Sequence, residues 1–263
     1  MTTRRQFLKL AGATTLALYA TNKFGRITRL FAMPIPGGTL DPATVAKYET
    51  PMLIPPVMPM AGTVKNMAGK NADYYEISMK EFDQQILPPS LPATRTWGYG
   101  AVTAESKRGI LLHNAPSLTI EAHWDRPVRV KWINDLVDEN GDYLPHLLPV
   151  DQTLHWANPP GGDAGRDTRP SWDSTPDSYT GPVPMVTHVH GAVGVGDESD
   201  GYAEAWYLAN AGNIPDGYAT QGTWVEYFEN KAANNLGVTW GPGYAVFEYP
   251  NHNRASTIWY HDH

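Results

Sequence analysis

The sequence predicts an all-β protein with long loops, and three observations lead to this prediction. Glycine and proline are abundant, with 24 and 23 residues, and their scattered positions are typical of a chain with many turns. The 9 tryptophans and 14 tyrosines are residue types that favour strands. Short runs of alternating polarity recur along the chain, and no long stretch shows helical periodicity.

Residues 1–32 are predicted to form a twin-arginine export signal. Arg4 and Arg5 precede a short apolar run from Leu10 to about Ala20, which is the order typical of such signals. The run is shorter than the ~20 apolar residues that span a bilayer. We therefore expect recognition by the twin-arginine export machinery, no stable membrane insertion, and a periplasmic or extracellular location.

Residues 33–72 are predicted to form an extended lead-in to the folded domain. Proline fixes φ and lacks a backbone N–H group, so frequent prolines preclude a regular helix. The prolines in this segment are Pro34, Pro36, Pro51, Pro55, Pro56 and Pro59.

The remaining residues, 73–263, are predicted to form one β-sandwich or barrel. Short strands separated by turn signals are typical of both architectures. A long loop over residues 134–182 interrupts the series and contains several glycines, prolines and aspartates. The predicted strands cover residues 74–82, 94–99, 118–122, 128–133, 184–190, 223–229, 244–249 and 256–263.

The charge and the cysteine count exclude some classes of partner and site. The formal net charge is -7, from 20 basic and 27 acidic residues, and such a chain lacks the basic footprint of nucleic-acid-binding proteins. We expect no nucleic-acid partner. Cysteine is absent, so this chain builds neither a disulfide framework nor a thiolate metal site.

Two His-x-His segments, His188 with His190 and His261 with His263, form the strongest candidate site. Side chains alternate across a strand, so the two histidines of each pair share one face, separated by ~6.6–7 Å along it. One such pair is common on exposed strands. Two pairs flanked by apolar residues predict a metal site, because buried imidazoles need hydrogen bonds or a ligand. Imidazole suits copper, zinc, iron and nickel, so spacing alone does not name the metal.

The other histidines lack this spacing and are predicted to be surface or loop residues. They are His113, His123, His146, His155 and His252.

Three segments together resemble the first-domain copper motifs of multicopper oxidases, and the bacterial spore-coat laccase and bilirubin oxidase branch is the most similar. They are residues 187–191 (Thr-His-Val-His-Gly), 197–206 (Asp-Glu-Ser-Asp-Gly-Tyr-Ala-Glu-Ala-Trp) and 259–263 (Trp-Tyr-His-Asp-His). Residues 74–79, 91–99 and 148–155 are also similar to segments of that branch. The resemblance covers roughly residues 34–263.

The resemblance implies a cupredoxin-like Greek-key β-sandwich and half of a copper cluster. His188 would hold the isolated copper, His190 and His261 one copper of a coupled pair, and His263 the other. Asp200 matches an acidic residue that delivers protons to reduced oxygen, although it also fits a plain turn aspartate before Gly201. Trp259 and Tyr260 are interpreted as packing residues. The family couples one-electron oxidation of a phenol, pigment or metal ion to the reduction of O2 to water.

The family pattern continues beyond His263, with further cluster histidines and a cysteine at a mononuclear copper. The sequence is therefore interpreted as the N-terminal portion of an oxidase, with its first cupredoxin domain C-terminally incomplete and no activity expected of the fragment alone. One alternative is a non-enzymatic, cupredoxin-like exported protein, although relatives of that kind lose these histidines. Another is a single-metal site such as a zinc hydrolase, although an H-E-x-x-H signature is absent.

Overall fold

A computed structural model of the chain describes residues 18–21, 27–30, 40–102, 112–152, 157–168 and 177–263. Most regular structure in this part of the chain is β-strand, which confirms the all-β prediction. The strands are β1 (Leu18–Thr21), β2 (Ile27–Leu30), β3 (Gly62–Lys65), β4 (Asn71–Gln84), β5 (Thr94–Ala101), β6 (Leu112–His113), β7 (Val128–Asn134), β8 (Thr187–His190), β9 (Tyr244–Tyr249) and β10 (Trp259–Asp262). The α-helices are α1 (Gly162–Gly165) and α2 (Val225–Leu236).

The main sheet has six strands in the order β6-β5-β4-β7-β9, with β3 added on β4. The central pair, β4 and β7, runs parallel and places Tyr75 beside Val130 and Ile77 beside Trp132. All four of these residues are buried. Because alternate residues of each strand point to one side, these side chains form a continuous apolar face.

Strands β8 and β10 form a separate antiparallel pair that packs on this face through Tyr260. The Tyr260 ring lies 5.4 Å, centroid to centroid, from both Tyr99 of β5 and Trp132 of β7. Its hydroxyl donates a 2.6 Å hydrogen bond to the carbonyl of Leu118. Burial raises the pKa of the Tyr260 phenol, so the O–H stays protonated and continues to donate. The β8–β10 pair is thereby fixed against the main sheet.

An apolar cavity of about 1020 Å³ lies beside this contact. Its lining comes from the main sheet, from the segment after β6, from β8 and β10, and from the loop that precedes β10. Representative lining residues are Tyr99, Leu118, Val130, Val189 and Tyr260.

The prediction of a strand over residues 223–229 is wrong, because α2 occupies Val225–Leu236. Val225, Phe228 and Ala232 are buried, and spacings of three and four residues place them on one helical face. Gly237 ends the helix in a left-handed conformation, with its N–H donated to the carbonyl of Ala233. The expectation that no long stretch is helical is wrong at the same place.

The prediction of a strand over residues 118–122 is also wrong. Only Thr119 is paired there, in an isolated bridge to Val57. The strands predicted over residues 74–82, 94–99, 128–133 and 244–249 are confirmed by β4, β5, β7 and β9. Those predicted over 184–190 and 256–263 are present but shorter, as β8 and β10.

Most of the predicted export signal, residues 1–32, lies outside the described residues, and its assignment stays a prediction. Within it, β1 pairs with β2 in an antiparallel ribbon. The predicted lead-in contains a short 3-10 helix at Pro42–Thr44 and contributes β3 to the main sheet. Among the described residues, no helix is long and apolar enough to cross a bilayer.

Candidate metal centre

The histidines lie together because of the register between β8 and β10. His188 pairs with His261, and His190 pairs with Trp259. Since alternate residues of a strand share a face, these four side chains lie on one side of the ladder. Val189 and Tyr260, which pair between them, lie on the other side and face the core.

The imidazole rings are close enough to share bound metal. One ring nitrogen from each of His188, His190 and His261 lies within 4.8 Å of the other two. His263 follows β10 and stacks on His188, with ring centroids 5.1 Å apart. Its backbone N–H donates to the carbonyl of Val186 at 2.9 Å, which continues the pairing of the two strands by one residue. The structure therefore brings the rings of all four predicted ligands together, with three of them at a spacing that could hold a metal ion and His263 packed beside those three.

Backbone carbonyls of the turn at residues 200–201 fix the orientation of two of these rings. The Nδ1–H group of His188 donates to the carbonyl of Asp200 at 2.5 Å, and that of His263 donates to the carbonyl of Gly201 at 2.6 Å. A carbonyl only accepts, so Nδ1 carries the proton in each ring and Nε2 keeps its lone pair for a ligand. This is the usual way in which a second hydrogen bond prepares a histidine for metal binding.

Gly201 makes this arrangement possible. Its φ of +75° is a left-handed conformation that residues with a side chain rarely adopt. A Cβ atom at this position would also collide with the carbonyl of Thr187 in β8. Glycine therefore lets the 200–201 turn approach β8 closely enough for its carbonyls to reach the two imidazoles.

His261 supplies the observation that tests whether a metal fits. Its Nδ1–H donates to the carbonyl of Asp262 at 2.7 Å, while its Nε2 is buried without a hydrogen-bond partner. An unsatisfied buried polar atom costs about 1–3 kcal/mol. This lone pair lies in a cluster of imidazoles, the donor type that copper accepts. The residues present fit a copper site.

The carboxylate of Asp200 lies near the cluster without being the group that orients His188. Its Oδ1 is 3.5 Å from Nδ1 of His188, and the side chain is 46% exposed. The ring donates its shorter hydrogen bond to the backbone carbonyl of the same residue. Asp200 is thus placed between the cluster and solvent, and its predicted role in proton delivery stays a prediction.

The histidines predicted to be surface or loop residues have differing environments. His113 lies on β6 and is half-buried, 2.9 Å from the hydroxyl of Ser78, and burial lowers its pKa. His146 packs against the rings of Trp97 and Tyr179. His252 is exposed and pairs with Asp125, and His123 is exposed. His155 lies outside the described residues.

The sequence interpretation missed the environment of Trp259, which stacks on two of the candidate ligands. Predicting this stack requires the register that pairs Trp259 with His190, and that register involves two segments that are distant in sequence.

Comparison with known proteins assigns the chain to a family. The chain is 30% identical over 207 residues to a laccase of Bacillus subtilis (strain 168), an alignment that covers 78% of this chain and 28% of that protein. It is 32% identical over 190 residues to a laccase of Bacillus stratosphericus, covering 72% and 25%. It is 29% identical over 175 residues to Multicopper oxidase LPR1 homolog 1 of Oryza sativa subsp. japonica, covering 66% and 20%. No protein-family model matches the chain.

These similarities, the strand-rich fold and the imidazole cluster define an all-β, cupredoxin-like copper protein. The chain belongs to the multicopper oxidase family. It spans about a quarter of the length of the curated relatives that it matches.

Proposed function

We propose that the chain is the N-terminal portion of an exported, copper-dependent oxidase that couples one-electron oxidation of a donor to the reduction of O2 to water. The observation that carries the proposal is the pairing of His188 with His261 on the β8–β10 ladder. It collects imidazole nitrogens from two segments that are more than 70 residues apart in sequence. Three proteins to which the chain is 30–32% identical are named laccases.

In this proposal His188, His190, His261 and His263 hold copper as half of a larger cluster. His188 serves the isolated copper, His190 and His261 serve one copper of a coupled pair, and His263 serves the other. Bound copper supplies the one-electron steps by which electrons pass from the donor to oxygen. The longer protein supplies the remaining ligands and the site of electron entry, so the chain alone is expected to be inactive.

The residues of this chain prepare the site before copper enters. The carbonyls of Asp200 and Gly201 hold the protons on Nδ1 of His188 and His263, so the lone pairs of Nε2 stay available. In this proposal the carboxylate of Asp200 passes protons towards the cluster, and its 3.5 Å distance from Nδ1 of His188 and its partial exposure support that role. The proposed donor is a phenol, a pigment or a metal ion, and the proposed location is periplasmic or extracellular.

Copper titration of the 263-residue chain tests the shared site. We expect His188→Ala and His261→Ala each to lower the affinity for copper at least tenfold, since each removes a ligand from the same cluster. His123→Ala, which removes an exposed histidine outside the cluster, is the matched control and should bind like the unaltered chain. Isothermal titration calorimetry measures both the affinity and the number of ions bound. Unchanged binding in both cluster variants would exclude a shared site.

A single-metal site is the second candidate, because three nitrogens within 4.8 Å of one another are near the spacing of ligands around one ion. The same titration separates the two. A chain that binds one zinc ion tightly and never binds more than one copper ion favours the single-metal site. A chain that binds more than one copper ion favours the half-cluster.

A further inference from the structure

Trp259 stacks on two of the proposed copper ligands. Its ring is 4.8 Å from that of His190, with an angle of 14° between the planes. Along its own strand, it is 4.2 Å from the ring of His261, at 27°, and the two imidazole rings are themselves 5.8 Å apart. Both contacts are stacked, so the indole covers one face of each imidazole.

The strand geometry places the indole there. Trp259 is the cross-strand partner of His190 and stands two residues before His261 on β10. Cross-strand partners and i, i+2 neighbours both share a face of a sheet, so a large planar side chain at this position reaches both rings.

His190 differs from the other ligands in how its ring is held. Backbone carbonyls accept hydrogen bonds from Nδ1 of His188, His261 and His263. In the described part of the chain, the ring of His190 makes ring contacts and no hydrogen bond. The nearly parallel indole is therefore the contact that fixes its plane.

Burial alone does not explain the position of this tryptophan. Trp259 remains 55% exposed, so it gains less from removal of apolar area from water than a buried tryptophan such as Trp132. Its location favours a role that depends on the two rings it touches rather than on the core.

We propose that Trp259 is a positioning residue for copper, which fixes the ring plane of His190 and shields one face of His261 from water. The inference rests on the proposed function, because it requires that these histidines bind copper. Ordered outer contacts of this kind raise metal affinity by pre-orienting the ligands.

The first test is copper titration of the 263-residue chain with Trp259→Leu and Trp259→Phe. Trp259→Leu keeps an apolar side chain but removes the flat ring, and we expect it to bind copper about 10–100-fold more weakly. Trp259→Phe keeps a stacking ring, and we expect it to restore most of the lost affinity. Trp124→Leu, which removes a 74% exposed tryptophan from the loop before β7, is the control and should bind like the unaltered chain. Circular dichroism checks that each variant is folded.

The second test uses indole fluorescence and remains informative if Trp259→Leu does not fold. Copper held by the neighbouring imidazoles quenches a stacked indole, so the emission lost in Trp259→Phe should be the emission that copper quenches in the unaltered chain. Trp124→Leu should retain that quenching. An equal copper response in the unaltered chain and in Trp259→Phe would overturn the placement of the indole against the imidazoles that bind copper.

The outcomes separate this inference from the proposed function. If His188→Ala and His261→Ala leave copper binding unchanged, the shared site itself fails. If those two variants lose binding while Trp259→Leu and Trp259→Phe both bind as tightly as the unaltered chain, the site stands and the positioning role is overturned.

Discussion

On the outer face of the β8–β10 ladder lie His188, His190, Trp259 and His261, whereas the inner face carries Val189 and Tyr260 against the core. The same two strands hold both sets, and the side chain changes face at each residue. The outer rings are oriented by backbone carbonyls and by one indole. The inner ring is oriented by packing on Tyr99 and Trp132. The difference indicates that stability and metal chemistry are separable in this sheet, residue by residue.

The largest expected effect is on the inner face. Tyr260→Ala removes two aromatic contacts and the hydrogen bond to Leu118, and we expect a loss of about 3 kcal/mol in the free energy of unfolding. Urea unfolding followed by circular dichroism measures it. His190→Ala is the control, because His190 follows Val189, the cross-strand partner of Tyr260, and is exposed on the outer face. In the absence of copper, we expect its free energy of unfolding to change by no more than about 0.5 kcal/mol. Similar losses in both variants would refute the separation of the two faces.

The same division explains how much of the molecule the sequence predicts. The grouping of His188 with His190, and of His261 with His263, follows from strand alternation, which is a local property. The pairing of the two segments also requires the register between β8 and β10, and the sequence does not contain it in readable form. The stack of Trp259 on His190 depends on that register. The expectation that the two His-x-His segments contribute to one site comes from the resemblance to a family, because alternation within each strand does not show which strands are neighbours.

The errors in secondary structure have a related cause. In residues 223–229, a short segment read by itself suggests a strand, and only the later Ala232 and Gly237 complete the pattern of an amphipathic helix with a glycine cap. In residues 118–122, alternation is present, but a strand needs a partner, and only Thr119 finds one. In both segments the secondary structure depends on residues outside the segment itself.

A smaller effect is expected where the outer face depends on the turn behind it. Gly201→Ala places a side chain at a φ of +75° and against the carbonyl of Thr187. We expect a loss of about 2 kcal/mol in unfolding free energy. Copper affinity should fall as well, because the carbonyls that hold His188 and His263 belong to this turn.

Gly212→Ala is the matched control for this change. Nothing lies within 4 Å of a Cβ atom there, so its unfolding free energy and copper affinity should stay close to those of the unaltered chain. If Gly201→Ala lowers stability but leaves copper affinity intact, the turn supports the fold without orienting the ligands.

The smallest expected effect on the chain itself is that of Asp200→Asn, and it is the one that bears on catalysis. The change keeps the backbone carbonyl that orients His188, so copper affinity should stay within a few-fold and stability within about 0.5 kcal/mol. In the longer protein of which we propose this chain is a part, oxygen consumption should slow by about a hundredfold, because an amide does not hold and release a proton as a carboxyl group does. Asp197→Asn, on the same turn but paired with Lys231 at the surface, is the control and should leave turnover nearly unchanged. Unchanged turnover in Asp200→Asn would leave that residue as a turn aspartate, whereas a joint loss of copper and turnover would show that its side chain contributes to the ligand geometry.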